Sequence, residues 1–294
     1  MLEIKGIFPP LPTSFDASEK LDTYKITENI TRLCSYDLAG ILVLGSNGEM
    51  VMLSNEEKKK VYETARKAIP ADKLMIAGTG AQSTRETIQL SVMAAGAGAD
   101  AVLVLSPSYY KGQMSSKVLR EFYHDVASAS PVPVIIYNMP ANSGIDMDAD
   151  TILDASGHDN IIGIKDSGGN LVKMASVIKN AKPGFRVLAG SAGFLLPALS
   201  IGAVGGILAL ANIAPRLCLG IYESFLQGEY EKAKEYQLAA VDINSAVTWG
   251  GGVPALKAAM DHLDMYGGPV RKPLQSLSKE SREKLTALIK RTLE

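Results

Sequence analysis

A chain of 294 residues, 47% of them hydrophobic, has enough apolar side chains to bury a large core. Lys and Arg total 30 against 31 Asp and Glu, for a formal net charge of −1 with no basic cluster, so nucleic acid and anionic membrane surfaces are poor partners. The apolar runs fall short of the roughly 20 residues that a membrane helix needs, no charged n-region precedes one, and the expected location is cytoplasmic.

Taken in order, short apolar runs recur at residues 6–10, 40–45, 74–78, 101–105, 132–137, 161–165, 187–190 and 204–211. An uninterrupted apolar run reads as a strand buried on both faces, the kind found in parallel sheets. Helical periodicity fills the gaps. Ser54 and Glu57 have capping-box spacing ahead of Val61, Ala65 and Ala68. Ser83 and Glu86 repeat that spacing ahead of Ile88, Val92 and Ala95, and Leu119, Phe122, Val126 and Ala129 mark the next helix. Eight strand–helix units predict an α/β fold, a (β/α)8 TIM barrel, over residues 1–226. After Gly228 only helical patterns remain, at 229–247, 253–263 and 278–293, punctuated by Gly250-Gly251-Gly252 and Gly267-Gly268-Pro269. These predict a C-terminal three-helix extension over 227–294.

Chemistry in such barrels sits at the C-terminal ends of the strands. There the sequence places Gly45-Ser46-Asn47-Gly48-Glu49, Ser106-Pro107-Ser108-Tyr109-Tyr110, Tyr137-Asn138-Met139-Pro140, Lys165-Asp166-Ser167 and Gly190-Ser191-Ala192-Gly193. Lys165 closes the buried run from Ile161. Desolvation there disfavours an ammonium, and a free amine attacks carbonyl carbon to form a Schiff base; the bland alternative is a lysine that reaches out to water. The Gly45–Glu49 stretch reads equally as a plain turn or as a cradle of N–H groups and a hydroxyl for a carboxylate. Tyr137 ends the strand beside the one bearing Lys165, within reach of the same pocket. Tyr109-Tyr110 by itself reads as packing. Ala189-Gly190-Ser191-Ala192-Gly193 has the outline of a nucleophile elbow but lacks its first glycine and any His–acid partners, which removes a hydrolase. Gly78-Thr79-Gly80 lacks the third glycine of a dinucleotide fingerprint. His124, His158 and His262 are scattered, so no metal is expected. Cys34 and Cys218 read as free thiols.

Three of these stretches, Gly45-Ser46-Asn47-Gly48-Glu49, Tyr137-Asn138-Met139-Pro140-Ala141-Asn142-Ser143-Gly144 and Gly163-Ile164-Lys165-Asp166-Ser167, together resemble the signatures of the dihydrodipicolinate synthase/N-acetylneuraminate lyase superfamily. The resemblance runs over essentially the whole chain. It implies a pyruvate-dependent class I aldolase or lyase with no cofactor, assembled as a homotetramer, a dimer of dimers. It further implies that Lys165 forms the Schiff base, that Ser46 and Asn47 hold the pyruvate carboxylate, and that Tyr137 carries the proton. Tyr110 would be lent by a neighbouring subunit and joined to Tyr137 through Ser46, with Tyr109 as its substitute. Synthases of this family carry an arginine for the aldehyde's carboxylate where Asn142 stands here.

Lys165-Asp166-Ser167-Gly168-Gly169, the stretch from Leu188 to Phe194, Ala209-Leu210-Ala211-Asn212 and the stretch from Tyr266 to Gln275 resemble 4-hydroxy-2-oxoglutarate aldolase most, and parts are shared with deoxy-hexulosonate aldolases. By that resemblance Ser167 and Gly190 line the substrate site and the backbone of Ile207 lies near pyruvate. The implied reaction is cleavage of a 4-hydroxy-2-oxo acid to pyruvate and an aldehyde, glyoxylate from 4-hydroxy-2-oxoglutarate. A synthase condensing pyruvate with aspartate semialdehyde and a non-catalytic 2-oxo-acid binding protein are the alternatives.

Overall fold

The computed structural model of the chain describes residues 2–293. Eight strands, β1 (Gly6–Phe8), β2 (Gly40–Val43), β3 (Leu74–Gly78), β4 (Ala101–Leu105), β5 (Val134–Asn138), β6 (Ile161–Asp166), β7 (Arg186–Ala189) and β8 (Gly205–Ile207), form one parallel sheet. Its order is β1-β8-β7-β6-β5-β4-β3-β2. Just past β1, Leu42 N donates to Pro9 O at 3.0 Å and Leu11 N to Leu42 O at 2.8 Å, which brings the two ends of the sheet together. The architecture is the (β/α)8 barrel.

Successive side chains on a strand point to opposite faces, and here both faces are buried. Phe8, Leu42, Ile76, Leu103, Ile135, Leu188 and Ile207 pack inside the barrel, while Val43, Met75, Val102, Ile136, Ile164 and Val187 pack outward against the helices. Between Val134 and Ile135 the register of β5 against β6 shifts. Beyond that shift Ile135 pairs with Gly163, Ile136 with Ile164, Tyr137 with Lys165 and Asn138 with Asp166. The alternation therefore turns Tyr137 and Lys165 inward side by side at the C-terminal end of the barrel. Gly163 sits one layer below, where a Cβ would lie 2.5 Å from Arg186 O.

The helix Asn55–Ala68 begins with the complete capping box of Ser54 and Glu57. The helix Thr84–Gly96 has only half of the expected one: Ser83 accepts from Glu86 N, and no return bond to Ser83 forms. This helix is also rotated from the expected face. Val92 is exposed, and the buried positions are Thr87, Leu90, Ser91 and Ala94. Hydrogen bonds from Thr87 Oγ1 to Ala81 N (3.1 Å, N–H donating) and between Ser91 and Thr79 hydroxyls (3.0 Å) hold the polar face inward. The C-terminal region is helical, with Tyr230–Val247, Gly252–His262 and Lys279–Leu293 packed on one another and on the last barrel helix, Pro215–Leu226. Cys34 and Cys218 are free. Among the described residues no helix is long and apolar enough to cross a membrane.

Candidate active site

A cavity of about 160 Å³ opens at the C-terminal ends of the strands. Of the residues expected from sequence, Lys165, Tyr137, Ser46, Asn47, Asn142, Ser167, Gly190 and Ile207 all line it. Tyr110 does not. Tyr109 and Tyr110 are 79% and 71% exposed, pack edge to face on each other at 5.0 Å, and sit on a loop anchored by Gln82, whose Oε1 accepts from Ser108 N and Tyr109 N. Within a single chain Tyr110 makes no bond to Ser46.

Lys165 and Tyr137 are buried, and the Lys165 Nζ lies 4.1 Å from the centre of the Tyr137 ring. Among the described residues Lys165 makes no ion pair. Burial by itself raises the pKa of the Tyr137 phenol. The Lys165 charge and hydrogen bonding from Ser46, Lys165 and Ser167 lower it and prevail, so it stands below the ordinary tyrosine value. Ser46 Oγ is 3.4 Å from the Tyr137 hydroxyl. Ser46 opens the tight turn Ser46–Gly48, where Thr13 Oγ1 donates to Gly48 O at 2.6 Å. Asn47 follows on the same turn. Ser167 and Gly190 are drawn together because Gly190 N donates to Asp166 O at 2.8 Å. A Cβ on Gly190 would lie 2.0 Å from Ser167 Oγ, so only glycine permits that approach.

The carboxylate next to Lys165 is directed elsewhere. Asp166 is buried and pairs with Lys173 at 3.1 Å, and Asn138 Nδ2 donates to Asp166 (3.1 Å) and Asp146 (2.8 Å). Lys173 also bonds Asp146. Burial raises the Asp146 pKa, but the Lys173 and Asn138 bonds bring it below the usual carboxylate value. Met147 N donates to Asn138 Oδ1 at 3.0 Å, so the segment carrying Asn142 is tied at its far end to β5, the strand that bears Tyr137. Asn142 itself is on the short helix Pro140–Ser143 at the rim.

Sequence reasoning did not foresee the far wall. Thr248, Trp249 and Val253 of the C-terminal helical region line the cavity, beside Ser191 after β7, one of the strand-end residues expected there. Ser191 is held by Asn244, whose Nδ2 donates to its Oγ at 3.0 Å. The triple glycine at 250–252 was the signal available, since it breaks the helical pattern just beside these residues. Among the described residues no group of three or more His, Cys, Asp or Glu side chains is placed to hold a metal ion.

An amine and a phenol at the mouth of a (β/α)8 barrel narrow the choice of relatives, and the sequence profile of the Dihydrodipicolinate synthetase family matches residues 3–292. The chain belongs to this family. Within the Dihydrodipicolinate synthetase family it is similar to proteins of different named activity. A probable mitochondrial 4-hydroxy-2-oxoglutarate aldolase of Emericella nidulans is 39% identical, covering 99% of this chain and 96% of its own. A 4-hydroxy-tetrahydrodipicolinate synthase of Methanothrix thermoacetophila is 33% identical, covering 96% and 94%. Among solved structures, YagE, a prophage protein of E. coli K12 in complex with pyruvate, superposes with a TM-score of 0.92 at 30% identity, covering 98% of each chain. As a family member the chain is a carbon–carbon lyase.

Proposed function

We propose that the chain is a class I aldolase that cleaves a 4-hydroxy-2-oxo acid, foremost 4-hydroxy-2-oxoglutarate, into pyruvate and glyoxylate through a Schiff base on Lys165. The observation that carries this is the Lys165–Tyr137 pair: a buried amine with no carboxylate partner among the described residues, beside a phenol of lowered pKa, both facing the cavity. The similarity to a probable 4-hydroxy-2-oxoglutarate aldolase over 99% of the chain supports the substrate.

Lys165 adds to the C2 carbonyl, and loss of water leaves an iminium that withdraws electrons from C3. Tyr137 as phenolate takes the C4 hydroxyl proton, the C3–C4 bond breaks, and the electron pair enters an enamine while the aldehyde departs. Protonation at C3 and hydrolysis release pyruvate and the amine. Ser46 and Asn47 hold the C1 carboxylate, Ser167 and the Gly190 backbone bound the carbon chain, and the Ile207 backbone lies under the pyruvate portion. Tyr110, exposed in the single chain, reaches Ser46 from a neighbouring copy within a homotetramer.

The synthase reading has in its favour the similarity to proteins of that name, the Methanothrix protein among them. Asn142 weighs against it, since a neutral amide cannot make the charge-assisted fork that an arginine makes with a second carboxylate. Incubation with pyruvate and borohydride tests the chemistry shared by both: the reduced adduct should map to the one peptide that contains Lys165. Adduct on another lysine, or none at all, would end the Schiff-base reading.

A further inference from the structure

Glu49 ends the turn that carries Ser46 and Asn47, yet the chemistry above makes no use of it. Arg271 likewise stands idle in the stretch from Tyr266 to Gln275. The fold brings the two together across 222 positions of sequence: Arg271 N donates to Glu49 Oε2 at 2.8 Å. The other Glu49 oxygen pairs with Lys257 Nζ at 2.6 Å, and both side chains are only 1% exposed. Lys257 Nζ also donates to Pro269 O at 2.7 Å. The Arg271 guanidinium makes two bonds of 2.7 Å to Glu57, one of 3.0 Å to Met52 O and one of 2.6 Å to Glu19 O. Both cations lie over the Phe15 ring, Lys257 at 4.6 Å and Arg271 at 4.2 Å.

Sequestering opposite charges this deeply is unfavourable compared with an apolar pair, so stability alone is a weak reason for the arrangement. Burial holds the Lys257 pKa below the usual lysine value, although Glu49 pulls it up. What the pair does supply is position. Glu49 has φ 53°, a conformation that a residue with a side chain adopts only when its surroundings impose it. Lys257 belongs to the helix Gly252–His262, and the start of that helix, Gly252 and Val253, lines the same cavity as Ser46 and Asn47.

We infer that Glu49, Lys257 and Arg271 form a clamp that joins two walls of the active site and sets the position of Ser46 and Asn47 for the 2-oxo acid's carboxylate. These are positioning residues, since none of them lines the cavity. The inference rests on the Schiff-base reading for what binds at Ser46 and Asn47. Glu49→Gln, Lys257→Met and the double variant test it through two readouts, the pyruvate concentration for half-maximal borohydride trapping on Lys165 and hydrogen exchange of the peptide covering 44–53. Each single variant should need about tenfold more pyruvate or beyond, the scale of a lost charge-assisted contact, with faster exchange confined to that peptide. The double variant leaves no lone buried charge, so its melting temperature should recover relative to the singles, while the raised pyruvate requirement persists. It also keeps the test open if the singles do not fold. Trapping at the wild-type pyruvate concentration in the folded double variant would overturn the clamp. Failure of the wild type to trap pyruvate would strike the Schiff-base reading instead; exchange at 44–53 then decides the clamp, and unchanged exchange in the double variant refutes it.

Discussion

Replacing Tyr137 by Phe removes one oxygen from the wall of the cavity, and its effects on stability and on turnover should differ widely. The ring stays, so the packing inside the barrel and the 4.1 Å contact with Lys165 Nζ are retained. What is lost for folding is a 3.4 Å contact with Ser46, longer than an ordinary O–H···O bond, together with the hydroxyl's bonding to Lys165 and Ser167. A hydrogen bond contributes about 0.5–1.5 kcal/mol net, and the long Ser46 contact belongs at the low end. Proton transfer is another matter. A positioned acid–base group contributes typically 10²–10⁴-fold, which is about 2.7–5.4 kcal/mol of barrier at roughly 1.36 kcal/mol per decade. Tyr137→Phe should therefore keep its fold and its pyruvate adduct on Lys165 while kcat for release of pyruvate from 4-hydroxy-2-oxoglutarate falls at least about a hundredfold. The measurements are a thermal melt, borohydride trapping and steady-state turnover on the same preparation. Turnover within a few-fold of wild type would show that the phenol only fills space. A matching collapse of trapping would show that the substitution disorders the site, and the proton-transfer argument would fail with it.

Two further substitutions probe the neighbours of this pair. The Ser46 hydroxyl helps hold the Tyr137 pKa below its ordinary value; in Ser46→Ala that pKa rises, so the ascending limb of log kcat against pH should move to higher pH. A limb that stays put would mean that Tyr137 ionisation does not govern it. At position 142, wild type should condense pyruvate with aspartate semialdehyde weakly or not at all. Asn142→Arg adds a charge-assisted contact of about 1.5–3 kcal/mol, or roughly 10- to 150-fold, and should shift the ratio of condensation to hydroxy-oxo-acid cleavage toward condensation. Lys111, whose Nζ would lie 3.3 Å from a Cβ on Gly144, places another cation nearby and should hold the shift to the lower part of that range. An unchanged ratio would remove this position as a selector of the aldehyde.

The barrel was legible because parallel strands are buried on both faces, which leaves unbroken apolar runs with polar residues gathered at one end. Strand ends were less so. The run 204–211 yields only Gly205–Ile207 as strand, because Ala209–Asn212 turns into a short helix in which the Asn212 amide donates to Pro10 O and Ala209 O. The helix Thr84–Gly96 shows how side-chain hydrogen bonds can override an apolar stripe, Thr87 and Ser91 being buried where Val92 was expected. Lys165 and Tyr137 could be placed together from strand position alone, since each closes its own run. Thr248 and Trp249 could not, because their approach to the cavity depends on where the helices after the barrel come to rest. The Glu49–Lys257 contact is of the same kind: nothing local to either residue announces the other.

Lys165 and Tyr137 stand on neighbouring strands of the closed sheet, where a displaced backbone would break ladder bonds on both sides. Asn142 stands on a single-turn rim helix and Thr248 and Trp249 just past the end of a long one, with Trp249 64% exposed. In the proposed aldolase, reactivity and selectivity are thus carried by parts of very different mechanical stiffness. Drift at the rim leaves the amine and the phenol where they are, and at exposed positions most substitutions change stability by no more than about 0.5 kcal/mol. On the proposed reading, a barrel divided in this way can exchange one aldehyde for another over generations without relearning how to hold pyruvate.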